Sequence, residues 1–192
     1  MLKVEGNRMA TPVLDRPLTK DEVLSLPDDN LYELVEGRLE ELNVSWETSA
    51  IAIEISSVVR NFVRPGRLGV VSGADNTLDI FDDPDHFRRA DVSFTLAGRI
   101  PEGRPGDGSQ EIAPDLVVEV VSPNDRVALL EKKIQEYLDA GATLIWVVFP
   151  SLRSVDVIRR GRPRQRLGPE DLLDGEDALP GFSYPVADIF DI

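Results

Sequence analysis

Between Pro114 and Ser122 the chain reads Asp-Leu-Val-Val-Glu-Val-Val, a nearly continuous apolar run. A strand that is apolar on both sides must be covered on both sides, which sheets achieve with helices packed on each face. In the middle of this run stands Glu119. Burying a lone carboxylate is costly, so Glu119 must be ion-paired, protonated, bound to a cation, or placed at an exposed strand end.

The surrounding residues supply the partners such a strand needs. Thr19-Lys20-Asp21-Glu22 has the pattern of a capping box and opens a short helix that stops near Pro27. Leu31 to Val35 and Arg38 to Val44 flank Glu36-Gly37 and read as a β-hairpin. From Glu47 to about Arg64, residues Ile51, Ile55, Val58, Val59 and Phe62 fall on one helical face, and Pro65-Gly66 is the stop signal. Strands are expected over Gly69 to Ser72, Thr77 to Phe81 and Ala90 to Leu96. In the last of these, Val92, Phe94 and Leu96 alternate with Asp91, Ser93 and Thr95. Ala97 to Pro114, rich in Gly and Pro, reads as a long mobile loop. A helix from about Asp125 to Ala140 carries Leu130, Ile134, Tyr137 and Leu138 as its stripe and is closed by Gly141. Leu144 to Phe149 is a second buried strand, and Ser154 to Arg159 pairs with a further strand across Gly161. The apolar tail residues Leu172, Leu173, Leu179, Phe182, Phe190 and Ile192 can pack back onto the body. The expected class is α/β (an α+β mixed sheet), with helices flanking a central mixed β-sheet. The 192 residues suit one domain, with 1–18 as a flexible or extended N-terminal segment.

Composition removes several functions. There is no cysteine, hence no disulfide scaffold, thiol nucleophile or cysteine metal site, which fits a reducing cytoplasm. The single histidine, His86, lies in the polar turn Asp82 to His86 and reads as a surface residue. One histidine rules out multi-histidine zinc sites. No apolar run could span a membrane, and no apolar signal segment is readable. The formal charge of −14 gives no long-range attraction to nucleic acid, so phosphate chemistry would need a basic patch or divalent cations.

Asp91 lies on the polar face of its strand and reads either as an exposed strand carboxylate or as a partner for Glu119. Asp115 shapes the entry of the Glu119 strand. On the helical wheel the stripe of the 125–140 helix lies about 175° from Lys132 but about 85° from Lys133. Lys132 therefore points to solvent, whereas Lys133 either snorkels at the border or delivers its ammonium to a carboxylate on the sheet. Two acids on separate strands can hold a hard cation such as Mg²⁺ or Mn²⁺, and a lysine beside them can stabilise charge on a phosphoryl oxygen. That set suits phosphodiester hydrolysis. Between Arg153 and Arg166 stand six arginines and one acid, Asp156. Arg159, Arg160, Arg162 and Arg164 read as phosphate contacts or as a solvated hairpin turn.

The ordered set Tyr32-Glu33-Leu34-Val35-Glu36-Gly37, Ala90-Asp91-Val92, Pro114 to Pro123, Lys133-x-x-x-Tyr137, Gly141, Trp146 and Leu179-Pro180-Gly181-Phe182 resembles the Uma family. This is a group of bacterial endonuclease-like proteins long carried as a domain of unknown function. The resemblance covers roughly Thr19 to the C-terminus. It implies the restriction-endonuclease-like fold of the PD-(D/E)XK superfamily and a metal-dependent endonuclease. By the same resemblance, Asp91 and Glu119 would be metal-binding acids, the Val120 carbonyl a further ligand, and Lys133 the lysine. Glu47 or Glu54 could add an acid from the first long helix. The chain departs from the pattern in placing Val121 where the superfamily lysine usually stands, Glu47 where many relatives have a histidine, and Ala90 where a proline usually precedes the first acid. Expected partners are nucleic acid, DNA ahead of RNA, and a second copy in a homodimer, with no membrane. The alternative is an inactive module that kept the fold and binds a protein partner.

Overall fold

A computed structural model describes residues 16–192. Six strands form the central sheet in the order β3 (Gly69–Gly73), β4 (Val92–Leu96), β5 (Leu116–Val120), β6 (Leu144–Phe149), β7 (Ser154–Arg159) and β8 (Gln165–Leu167). β5 and β6 run parallel and every other neighbouring pair is antiparallel. A parallel pair needs a crossover, and α3 (Val127–Ala140) supplies it.

The apolar run around Glu119 is β5, and all five of its residues are buried. On one face, α2 (Trp46–Gly66) packs Ile51, Ile55, Val59 and Val63 into a core with Val92, Phe94, Val118, Trp146 and Val148. The tail completes this core with Leu173, Leu179, Phe182 and Phe190, while Leu172 and Ile192 stay exposed. On the other face, Ile134, Tyr137 and Leu138 of α3 meet Val117, Ile145 and Val147. The tail also forms a small hairpin, β9 (Leu172–Asp174) with β10 (Ser183–Pro185).

Ahead of the sheet, α1 (Lys20–Leu24) begins at the expected capping box, with Thr19 and Glu22 bonding reciprocally. The hairpin of β1 (Tyr32–Val35) and β2 (Arg38–Glu41) turns through Glu36 and Gly37, both at positive φ (51° and 74°), as a type I′ turn requires. Leu34 exchanges backbone hydrogen bonds with Phe87, and the two pack with Val23 in a third small core. Most of the N-terminal segment 1–18 lies outside the described residues. Within them, the Leu18 amide donates to the Gly37 carbonyl at 2.8 Å.

Three expectations are corrected. Thr77 to Phe81 is not a strand: Leu78 makes only isolated bridges, to Arg88 on one side and Gln110 on the other. Its backbone groups are divided between two loops, so no ladder can grow from it. Pro65 does not stop α2. It sits in the final turn, and the stop comes at Arg67, whose φ of 49° lets the Leu68 amide reach back to the Val63 carbonyl. His86 is buried rather than on the surface. It stacks on Phe81 at 4.5 Å, and its Nε2 lies 3.4 Å from Glu136. Among the described residues no helix is long and apolar enough to cross a membrane.

Candidate functional site

Glu119 and Asp91 come together through strand register. β4 and β5 pair Val92 with Val118 and Ser93 with Val117, so one further step along the ladder sets Asp91 opposite Glu119. There the ladder ends. The Val120 amide donates to Asp91 Oδ2 at 2.6 Å, which fixes the Asp91 carboxylate one peptide from Glu119. Both acids face α3, because alternation along β5 sends Val118 and Val120 to α2 and Val117 and Glu119 to the opposite side.

From α3, Lys133 reaches this pair. Its ammonium donates to Glu119 Oε2 at 2.8 Å and to the Arg89 carbonyl at 3.1 Å, and lies 2.8 Å from Glu33 Oε1. Its three N–H donors thus have three acceptors. One turn along the helix, the Tyr137 hydroxyl donates to Glu119 Oε1 at 3.0 Å. Lys132 turns outward to Glu36 at 2.8 Å, with 41% of its side chain exposed.

Glu33 anchors the cluster to the hairpin. It accepts from the Arg89 amide at 2.7 Å and from Arg88 at 2.9 Å. Arg88 is 1% exposed and also pairs with Glu40 and Glu136, each at 2.8 Å. Charges this deeply buried persist only when paired and hydrogen-bonded. The pairing is uneven, and titration shows it. Burial, with the nearby charges of Asp91 and Glu33, overrides Lys133 and pushes Glu119 up to about 8. Burial also raises Asp91, against Lys133 and the Val120 amide. Burial would raise Glu33 too, but Lys133 and Arg88 hold it below the usual range. Burial opposes the Lys133 charge, yet Glu119, Glu33 and Asp91 together raise its pKa.

Glu33, Arg88, Asp91, Glu119 and Lys133 line a cavity of about 270 Å³ at the ends of β4 and β5. Its far wall is the β2–α2 loop, including Asn43 and Val44, and its rim includes Asp125 and Arg126 ahead of α3. The Ser122 hydroxyl donates to the Asn43 carbonyl at 2.5 Å and ties the two loops together.

Residues 21–187 match the Uma2 family, described as "Putative restriction endonuclease". The chain belongs to the Uma2 family. A crystal structure of "a putative nuclease belonging to DUF820" from Anabaena variabilis ATCC 29413 has the same architecture. Its TM-score is 0.78 at 27% sequence identity, over 91% of this chain and 98% of that one. No curated protein matches.

Not every residue proposed from the sequence of this Uma2 chain joins the cavity. Glu47, on the first turn of α2, is exposed, and Glu54 accepts from Tyr184 at 2.8 Å; neither lines the cavity. Arg159, Arg160, Arg162 and Arg164 lie on β7 and its turn toward β8, also outside it. Arg159 pairs with Glu176, Arg160 donates to the Leu138 carbonyl, and Arg164 pairs with Glu131 at 2.6 Å. Arg162 lies 3.9 Å from Glu176. Asp115 accepts from the Leu96 amide and from Arg99, both at 2.8 Å, and so shapes the strand entry.

Glu33, Arg88 and Tyr137 were not singled out for a role from the sequence. Arg88-Arg89 directly before a buried strand carries the same kind of signal as Glu119, a charge at a position that packing will bury. Among the described residues no group of three or more His, Cys, Asp or Glu side chains is gathered to hold a metal ion. The donor set that could do so is two carboxylates, Asp91 and Glu119, with the Val120 carbonyl. That set is all oxygen, as a hard divalent cation prefers, and both carboxylates are held in a setting that disfavours their charge. The donors therefore suit Mg²⁺ or Mn²⁺ with water completing the shell.

Proposed function

We propose that this chain is a divalent-metal-dependent endonuclease that hydrolyses phosphodiester bonds, with Asp91, Glu119 and Lys133 as its reacting machinery. One observation carries the reading: Lys133 contacts Glu119 in a cavity where strand register brings Asp91 alongside. Membership of the Uma2 family supports it. Asp91, Glu119 and the Val120 carbonyl would hold the cation, which when bound neutralises phosphoryl charge and acidifies its water. Lys133 supplies a fixed positive charge for a phosphoryl oxygen. Tyr137 holds one Glu119 oxygen, so the other is presented at a set angle. Glu33 keeps Lys133 from following its carboxylate partner away. Glu33 and Tyr137 thus position the groups that react.

Action on DNA ahead of RNA and a homodimeric state belong to the same proposal, as does a cytoplasmic location, which fits the absence of cysteine. A second reading, a nuclease fold kept as a binding module, is favoured by the internal satisfaction of both Glu119 oxygens. The deciding experiment is a cleavage screen over single- and double-stranded DNA and RNA with Mg²⁺, Mn²⁺ or chelator. Metal-dependent products that vanish in Asp91→Ala establish the nuclease. Their absence on all four substrates gives the module reading the advantage.

A further inference from the structure

One side of α2 takes Ile51, Ile55 and Val59 into the core. Away from the core, Trp46, Ala50, Ile53, Ser57, Arg60 and Arg64 recur at alternating spacings of four and three, the heptad pattern of a helix-pairing seam. At about 100° per residue these six fall within an arc of about 80°. Trp46 is 92% exposed, more than any other large apolar side chain among the described residues, and Ile53 is 67% exposed. Trp46 is not a frayed end, because the reciprocal bonds of Ser45 and Thr48 cap α2 directly ahead of it. Single apolar residues scattered on a surface are ordinary, whereas here only Ala50 stands between Trp46 and Ile53 on the seam. We infer that this stripe is the interface between two copies of the chain, packed antiparallel through α2 about a two-fold axis near Ile53.

The distribution of charge along the helix selects both the occupant and the direction. An interface between identical copies on a two-fold axis must be complementary to itself. Glu47 stands at the N-terminal end of α2, Arg60 and Arg64 stand toward its C-terminal end, and all three are exposed. Antiparallel packing lays Trp46 and Glu47 of one copy against the arginines of the other, twice by symmetry, and gives each indole face a cation. Parallel packing would set arginine on arginine. Ala50 and Ser57, on either side of Ile53, are small and let the two helices approach. A nucleic acid on the same stripe would meet Arg60 and Arg64 but also Glu47, on a chain of net charge −14. One helix pair about 30 Å long makes a small interface, so the dimer should be weak and reversible.

The inference gives the homodimeric state proposed above a surface. Its test reads mass rather than cleavage, so it and the nuclease reading fail separately. Sedimentation velocity of the full chain in chelator, from about 1 to about 300 µM, should show dimer replacing monomer as concentration rises. Trp46 emission should shift to the blue over the constant background of the buried Trp146. Ile53→Lys sets two ammonium groups together near the axis and should weaken association at least about tenfold. Glu47→Arg and Arg60→Glu should each weaken it about tenfold, and the two in one chain should restore it to within about threefold, because the pair is only exchanged. All three positions are exposed, so the variants should keep the fold, which melting at the lowest concentration checks. A monomer throughout the range would overturn both the interface and the homodimer. A dimer that Ile53→Lys leaves intact, or single reversals that the double variant does not rescue, would overturn the interface and leave the homodimer to another surface. DNA bound by the monomeric wild type and released by Arg60→Glu, with no dimer at any concentration, would assign the stripe to nucleic acid instead.

Discussion

Along β5, Val118 and Val120 share a core with Ile51, Ile55 and Val59 of α2, while Glu119, between them in sequence, meets Lys133 and Tyr137 of α3. One strand therefore buries only apolar side chains on one side and, next to Val117, an ionisable group on the other. The apolar face draws its stability from area removed from water and asks for shape alone. The charged face gives up that stability and gains geometry: every donor of Lys133 has a named acceptor, and each Glu119 oxygen has a fixed partner. Structures tend to retain such costly arrangements at working sites.

The charged face depends most heavily on Arg88. Arg88→Leu leaves Glu33, Glu40 and Glu136 without their shared cation, and denaturant unfolding should show a loss of about 3–5 kcal/mol. A loss below about 1 kcal/mol would mean the pairs are not truly buried. On the other face, Ile55→Ala should cost about 3 kcal/mol by cavity formation and leave the pH profile of stability unchanged. A changed profile would show that the two faces are coupled.

Glu119→Gln sharpens the contrast. The folded pKa of Glu119, about 8, lies above its ordinary 4.5, so the folded state binds the extra proton between those values. Stability of the wild type relative to the variant should therefore fall as pH rises from about 4.5 to about 8, then level off. A rise with pH would reverse the assignment. The smallest effect belongs to Lys132→Ala, whose pair with Glu36 is exposed, and melting should register under about 1 kcal/mol.

Much of this division was legible in the residues. The apolar run of β5 requires helices on both sides, and the alternation of Val92 and Phe94 with Asp91 and Ser93 separates the two faces. The angular separation of Lys132 from Lys133 on one helix anticipated which ammonium meets Glu119. What periodicity could not supply was contact between distant segments. Glu33 and Arg88 lie 55 positions apart and pair only because the β1–β2 hairpin docks on Phe87. The burial of His86 depends in the same way on Phe81 and on Glu136 from α3, which no local pattern announces. The Thr77–Phe81 segment forms no strand because its hydrogen bonds go to two different loops.

The charged face is proposed to receive a divalent cation, a claim open to test by melting the metal-free protein against Mg²⁺ and Mn²⁺ at neutral pH. A cation held only by the folded state at 100 times its dissociation constant should add about 2.7 kcal/mol, a shift of several degrees. At pH 5 the gain should shrink, because protons compete for Glu119 and Asp91, whose pKa values are both raised. Asp91→Ala should lose most of the response. Identical melting in Mg²⁺, Mn²⁺ and chelator at neutral pH would contradict the claim and leave the cluster as a structural ion network.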